Sequence, residues 1–391
     1  MRTASLYFSF LIMLMLAGCS GSPPALPPSG QITFAQYQHD ITSWVQQHRQ
    51  FQSQDRQTEL RWNTPQEWRP DGPAKKGILL IHGLGDAPGS FTDIAPELAK
   101  QGFLVRSVLL PGHGTQPKDL SAISVNDWRR VVNEQAAILQ KDSGKIWLGG
   151  FSTGANLAIE YAYRNPEVQG MVLFSPAVRA NEPLVALTPF IVPFRQWLKA
   201  PRDGYPQQRA TRYMRVPTNG FAQFWYSSRA AQAVLNRHAY DKPVLMVMTE
   251  HDSVLDTPGL LKDFDRQFTS PRSRLIWYGN PQPERVLSRR VLVRPDTLPR
   301  QHISQFSHMS VLFSPQNPVY GISGSDRMCE NGQRDEDYLA CRQGAEVWFS
   351  AWGYRESGKI HARLTWNPWF SWQNGVMDQV VNGEEAKPDA E

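Results

Sequence analysis

Cysteine is scarce: there are 3 in 391 residues, too few for a disulfide-built scaffold, and positions 19, 329 and 341 lack the paired spacing of a zinc site. An excess of one charge is lacking as well. The 41 Lys and Arg stand against 36 Asp and Glu for a formal net charge of +5, and no dense basic tract of the sort that grips nucleic acid occurs. Nucleic acid is therefore not an expected partner. The apolar run at residues 6–16 falls short of the ~20 residues that a membrane-spanning helix needs. The 9 histidines are scattered, with no H-E-x-x-H and no close ligand cluster, so a metallohydrolase is not expected and no metal or organic cofactor is required. What is present is a chain 41% hydrophobic and 20% charged, which suits a sizeable packed core. Its length allows one large domain with insertions or two domains. No internal repeat is visible.

The N-terminus carries a signal of location. Arg2 precedes the short apolar run, the layout of a secretion signal, and the run ends in Leu16-Ala17-Gly18-Cys19. This resembles the lipobox of bacterial lipoproteins, whose cysteine is lipidated and becomes the first mature residue. Ser20, where an aspartate would signal retention, implies by the same resemblance an outer-membrane position in the cell envelope, facing the periplasm. Residues 21–30, with Pro23, Pro24, Pro27 and Pro28, read as a tether. With Cys19 used by lipid, Cys329 and Cys341 remain as an even pair, expected to form a disulfide in an oxidising compartment. The polar, acidic stretch between them disfavours a reactive thiolate.

Residues 32–51 have the apolar spacing of an amphipathic helix, with Thr33 and Gln36 placed as a capping box. From residue 77 onward, short apolar runs at 78–81, 103–109, 146–149, 171–174, 244–248 and 274–278 alternate with helix-sized segments. That rhythm predicts βαβ units and a mostly parallel sheet flanked by helices. It breaks between residues 180 and 240, where prolines interleave with Phe190, Phe194, Trp197, Phe224 and Trp225. Two further irregular stretches are expected, at 280–301 and from 321 to the cysteine pair, then a last helix at 343–354. The resulting division is a signal peptide at 1–18, a tether at 19–31, a helix and extension at 32–74, a core in two parts at 75–180 and 241–356, an inserted lid at 181–240, and a tail at 357–391 with a frayed acidic end. Trp366, Trp369 and Trp372 suit packing of the terminal segment or contact with a membrane interface.

Chemistry is concentrated in Gly150-Phe151-Ser152-Thr153-Gly154, at a strand-to-helix junction. A G-x-S-x-G elbow forces a turn so sharp that glycines must flank the serine. Upstream, the strand at 78–81 runs into His82-Gly83-Leu84-Gly85-Asp86, and the next strand into Leu110-Pro111-Gly112-His113-Gly114. These motifs resemble the α/β-hydrolase superfamily, with closest similarity to its monoacylglycerol lipase, lysophospholipase and carboxylesterase group, related to the serine aminopeptidases. The resemblance covers about residues 75–355. It implies an α/β-hydrolase fold with an inserted lid, Ser152 as nucleophile, and an oxyanion hole from the backbone N–H groups of Leu84 and Thr153. It makes His82 and His113 structural turn residues. The acid is expected in the turn after the strand at 244–248, at Asp252, with Asp256 as the alternative. The histidine is expected at His308 in Phe306-Ser307-His308-Met309, with His302 as the competitor. The implied activity is hydrolysis of a lipid-like carboxylic ester through an acyl-enzyme. Serine peptidase activity on the same fold and a non-catalytic envelope-binding role are the alternatives. Oligomeric state, acyl chain and head group are not specified by the residues.

Overall fold

A computed structural model describes residues 26–202, 204–280 and 288–383. Cys19 and the apolar run before it lie outside these residues. Eight strands form one sheet in the order β1-β3-β2-β4-β5-β6-β7-β8. They are β1 (Glu67–Trp68), β2 (Lys76–Ile81), β3 (Phe103–Val108), β4 (Ile146–Phe151), β5 (Val168–Phe174), β6 (Val244–Thr249), β7 (Arg274–Tyr278) and β8 (Val291–Arg294). Only β1 is antiparallel to its neighbour, and the rest pair in parallel.

The apolar runs are continuous rather than alternating because both faces of the sheet are covered. Leu79 and Ile81 of β2 pack into one core cluster, Ile78 and Leu80 into the other. On the first face lie α1 (Phe34–His48), α4 (Val125–Ser143) and α5 (Thr153–Arg164). Helix α1 forms the Thr33 half of the expected capping box, the Gln36 N–H donating to Thr33 Oγ1 at 3.2 Å, while Gln36 Oε1 accepts from the Ile32 N–H, one residue before the cap, at 3.2 Å. Ahead of it, Leu26 and Pro27 line a small cavity together with Trp44, Gly112 and Ile123. Helices α2 (Arg56–Trp62) and α3 (Ile94–Lys100) bring Trp62 and Ile94 to the opposite cluster.

The break in rhythm between 180 and 240 corresponds to a 3-10 segment at Pro183–Leu187, the short α6 (Thr188–Ile191), an irregular stretch, and α7 (Thr218–Leu235). Helix α7 packs on α5 and α4, while Leu184, Phe190 and Phe194 are left exposed. Chain then returns to β6, α8 (Thr257–Gln267) and β7.

The late chain departs from the expected layout. The irregular stretch at 280–301 contains β8. The expected helix at 343–354 is instead split: α9 (Asp335–Arg342) precedes it, and β9 (Trp348–Ser350) lies within it, paired in parallel with β10 (His361–Arg363). Gly344 and Gly353, at φ 94° and 84°, turn the chain where a helix would have continued. The segment taken as a tail carries β10 and α10 (Phe370–Asn382). Helix α10 buries Val376, Met377, Val380 and Val381 in the second core cluster. The tryptophans pack there: Trp366 against Phe349 at 4.4 Å, Trp369 Nε1 donating to the Pro295 carbonyl at 2.9 Å, and Trp372 beneath the Arg294 guanidinium at 4.3 Å. Cys329 and Cys341 are bonded, with Cα atoms 5.7 Å apart, a staple of about 3 kcal/mol for so short a loop.

Candidate active site

Ser152 stands between β4 and α5 with φ 54° and ψ −117°, a left-side conformation that costs a non-glycine residue of order 1–3 kcal/mol. The neighbours that enforce it are glycines for steric reasons. A Cβ on Gly154 would lie 1.9 Å from the Ile81 carbonyl oxygen, and one on Gly150 2.5 Å from the Ala155 nitrogen. The Ser152 N–H donates to the Phe174 carbonyl at 3.0 Å, and its own carbonyl accepts from the Ala155 and Ala177 N–H groups at 3.1 and 3.2 Å. The backbone of the elbow is thus fully engaged while its hydroxyl is left at the rim of the core, the residue 8% exposed.

Asp252 sits in the turn after β6. Its Oδ1 accepts the Val254 and Leu255 N–H groups at 2.8 and 3.2 Å, and its Oδ2 meets His308 Nδ1 at 2.6 Å. The Asp252 side chain is completely buried and that of His308 is 16% exposed. An ionised Asp252 fixes the Nδ1–H tautomer and leaves Nε2 of His308 with a free lone pair. The imidazole lies 5.0 Å, centroid to centroid, from the ring of Phe151, next to Ser152. His308 is held by what flanks it: Phe306 and Met309 are buried in the core, Ser307 Oγ donates to the Leu364 carbonyl at 2.6 Å, and Ser175 Oγ donates to the His308 carbonyl at 2.9 Å. Ser175, another non-glycine at positive φ (41°), carried no sequence signal. Among the competitors, His302 stacks on Trp348 at 5.1 Å, away from Asp252, and Asp256 caps α8 by accepting the Gly259 N–H at 3.2 Å.

The loop after β2 closes over the elbow. Gly83 is so near that a Cβ there would lie 3.2 Å from the Ser152 Cβ. The Leu84 N–H and the Thr153 N–H, the latter at the first position of α5, have no hydrogen-bond acceptor among the described residues, which leaves both as donors for an incoming oxygen. His82 and His113 brace this loop. His82 Nδ1 donates to the Gly83 carbonyl at 2.8 Å and Nε2 accepts the Leu110 N–H at 3.1 Å. His113 Nε2 accepts the Gly85 N–H at 3.0 Å and Nδ1 donates to the Leu110 carbonyl at 3.1 Å. Burial pushes His82 down to about 4 and His113, with His82 beside it, to about 3, so both are neutral and each ring uses one donor and one acceptor.

A second histidine–carboxylate pair, His251 Nδ1 to the fully buried Asp296 Oδ2 at 2.5 Å, adjoins Asp252; the hydrogen bond that His251 donates to Asp296 raises it above the ordinary histidine range. Among the described residues no group of three His, Cys, Asp or Glu side chains is placed to hold a metal ion.

Residues 72–280 match the family described as serine aminopeptidase, S33, which spans more than half of the chain. A thermostable monoacylglycerol lipase from Bacillus sp. (strain H-257) is 33% identical over 108 residues, 28% of this chain and 42% of that protein. The monoglyceride lipase of Homo sapiens is 33% identical over 118 residues, 29% of this chain and 39% of that protein. The matched stretch thus spans about two fifths of these relatives. Among solved structures, one from work on the metagenome-derived lipolytic enzymes LipS and LipT aligns at a TM-score of 0.48 and 22% identity, covering 55% of this chain and 87% of that chain. The monoacylglycerol lipase of Paleococcus ferrophilus aligns at 0.44 and 19%, covering 55% and 87%.

Proposed function

From the membership of this chain in the serine aminopeptidase S33 family, within the α/β-hydrolase fold, we propose that it hydrolyses carboxylic esters of a lipid-like kind through an acyl-enzyme on Ser152. The observation that carries this is the conjunction of a strained serine at an elbow with the buried Asp252–His308 pair, set against the residue that precedes the serine. In the reaction, Ser152 Oγ attacks the ester carbonyl carbon as His308 Nε2 takes its proton. The carbonyl oxygen becomes an oxyanion facing the Leu84 and Thr153 N–H groups, each donor worth about 3 kcal/mol of barrier. Collapse expels the alcohol, which receives the proton from His308. Water, deprotonated by the same imidazole, then attacks the acyl-enzyme and releases the carboxylic acid and free Ser152. Asp252 orients the ring and stabilises its charged form throughout. The similarity to monoacylglycerol lipases over part of the chain supports an acylglycerol-like substrate.

The test is hydrolysis of esters with acyl chains of graded length by the intact protein beside Ser152→Ala. We expect turnover that Ser152→Ala lowers by at least about 10³-fold. Ester turnover equal in the two proteins would end this reading. The family description favours one other assignment, a peptidase; faster release from an amino-acid amide than from the matched ester would select it. We also propose that Cys19 carries lipid and anchors the protein in the bacterial envelope, which the Cys329–Cys341 disulfide supports because such bonds persist in oxidising compartments.

A further inference from the structure

Next to the loop that covers the elbow, a cavity of about 400 Å³ opens between the lid and the disulfide loop. Leu84, whose N–H faces the proposed reaction, forms part of its wall, and most of the rest comes from lid residues between 205 and 216 and from residues between 329 and 338, with Trp352 and Arg363. Its polar character is lopsided. Arg212, Arg215 and Arg363 line it, and none of the three makes an ion pair among the described residues. Arg212 instead places Nη1 3.3 Å from the sulfur of Met309, the residue after His308. Arg363 spends one Nη on the Glu330 carbonyl at 2.8 Å, while its Nε is buried with no hydrogen-bond partner. Burial first, and then the nearby Arg212 cation, pull Arg363 down to about 9, with Glu330 acting in the opposite direction.

The carboxylates within reach are only partly free: Glu330 and Asp335 line the cavity themselves, and Glu330 Oε1 is buried without a hydrogen-bond partner. Glu330 and Asp326 are both bound by Arg209. Asp335 is held by Arg202 at 2.9 Å and by the Tyr205 hydroxyl at 2.6 Å. Asp86, which shares the surroundings of Tyr320 with Arg212, accepts the Ala87 N–H at 3.1 Å. A buried guanidinium with an idle N–H is costly unless something accepts from it, and planar forks of this type match the oxygens of phosphate and carboxylate.

We propose that this cavity is an anion subsite, and that the preferred substrates are acyl esters carrying a phosphate or carboxylate group on the alcohol side, held by Arg212 and Arg363. This rests on the ester-hydrolase reading and adds the charge of the substrate to it. The alcohol side is the one that must leave, so an anion bound there positions the leaving group against His308 without occupying the space of the acyl chain.

The experiment compares kcat/KM of the intact protein for three esters of one acyl chain, below their aggregation concentrations: those of glycerol, of glycerol 3-phosphate and of glyceric acid. At least one charged ester is expected to exceed the neutral one by about tenfold or more, the scale of a charge-assisted hydrogen bond. In Arg212→Gln and Arg363→Gln that ratio is expected to fall about tenfold, and in Arg363→Lys to recover in part. Preference for phosphate alone or carboxylate alone supports the subsite and names its chemistry. A charged-to-neutral ratio near one, or a ratio untouched in both variants, overturns it. Should Arg363→Gln fail to fold, Arg212→Gln and Arg215→Gln carry the test. Calorimetric binding of glycerol 3-phosphate and of glycerate to Ser152→Ala, lost in the Arg212→Gln double variant, reads the subsite without turnover. If no ester is hydrolysed while these anions bind, the ester-hydrolase reading fails and the subsite stands; neutral-ester turnover without anion preference or binding is the reverse.

Discussion

His82 and His113 are buried in neutral form, and this couples the geometry of the loop over Ser152 to pH. Their native values of about 4 and about 3 lie below the ordinary 6.5, so between those limits the unfolded chain binds more protons than the native one. The stability they confer is complete above about pH 6.5 and is lost as pH falls through 4 toward 3. Urea unfolding followed from pH 7 to 4 is expected to show stability declining with a limb that His113→Gln makes shallower; an identical limb in the variant would rule this out. At this scale the sequence is informative where the constraint is local. Gly150 and Gly154 flank Ser152 because the elbow leaves no room for a Cβ, so five consecutive residues announce it. Asp252 and His308 were reachable through chain order and a resemblance, and the structure brings these two together in preference to Asp256 and His302. Asp296, Ser175 and Arg212 gave no signal, since what matters about them is a partner 45, 133 or 97 residues away.

Among the elements, the parallel strands were the most legible because burial on both faces makes them continuous apolar runs. The C-terminal elements were the least. Helix α10 mixes Val376, Met377, Val380 and Val381 with Gln373 and Asn374, all of them buried. Tertiary partners absorb Gln373: its Nε2 donates to the Val311 carbonyl at 2.9 Å, and its Oε1 accepts from the Tyr278 hydroxyl at 3.1 Å. A helix that buries polar as well as apolar side chains, here Gln373 with its tertiary partners and Asn374 with Oδ1 unpaired, has little visible amphipathicity. It is nonetheless part of the domain, and Met377→Ala is expected to destabilise the fold by about 2–4 kcal/mol. Chemical denaturation checks this, and a loss under about 0.5 kcal/mol would show the helix to be dispensable. Likewise β9 and β10, three residues each, are too short to read, and both cysteines of the Cys329–Cys341 link pack with Val347 and Ala362 beside them.

For the whole molecule, the proposed anchor at Cys19 and the candidate site are separate parts of the chain and are tested separately. Lipidation of Cys19 is tested by expressing the protein with its N-terminus intact in a bacterium supplied with labelled palmitate. Incorporation and membrane fractionation are expected for the native sequence and neither for Cys19→Ala; label retained in the variant would reject the anchor. The candidate groups are widely divided along the chain as well: Leu84 and Ser152 arrive early, His308 and Arg363 late, and the fold is what brings them to one region. The placement of Leu26 and Pro27 then acquires a meaning. They line a small cavity together with Gly112, in the turn beyond β3, which His113 stitches to Gly85 of the loop over Ser152. Leu26 and Pro27 therefore lie toward the same end of the sheet as Ser152. The residues between 19 and 26 reach at most about 25 Å when fully extended. A lipid on Cys19 would hold the mouth of the site near the bilayer. Hydrolysis would then follow the surface density of esters in one leaflet, a two-dimensional search in which concentration in bulk solvent has little say.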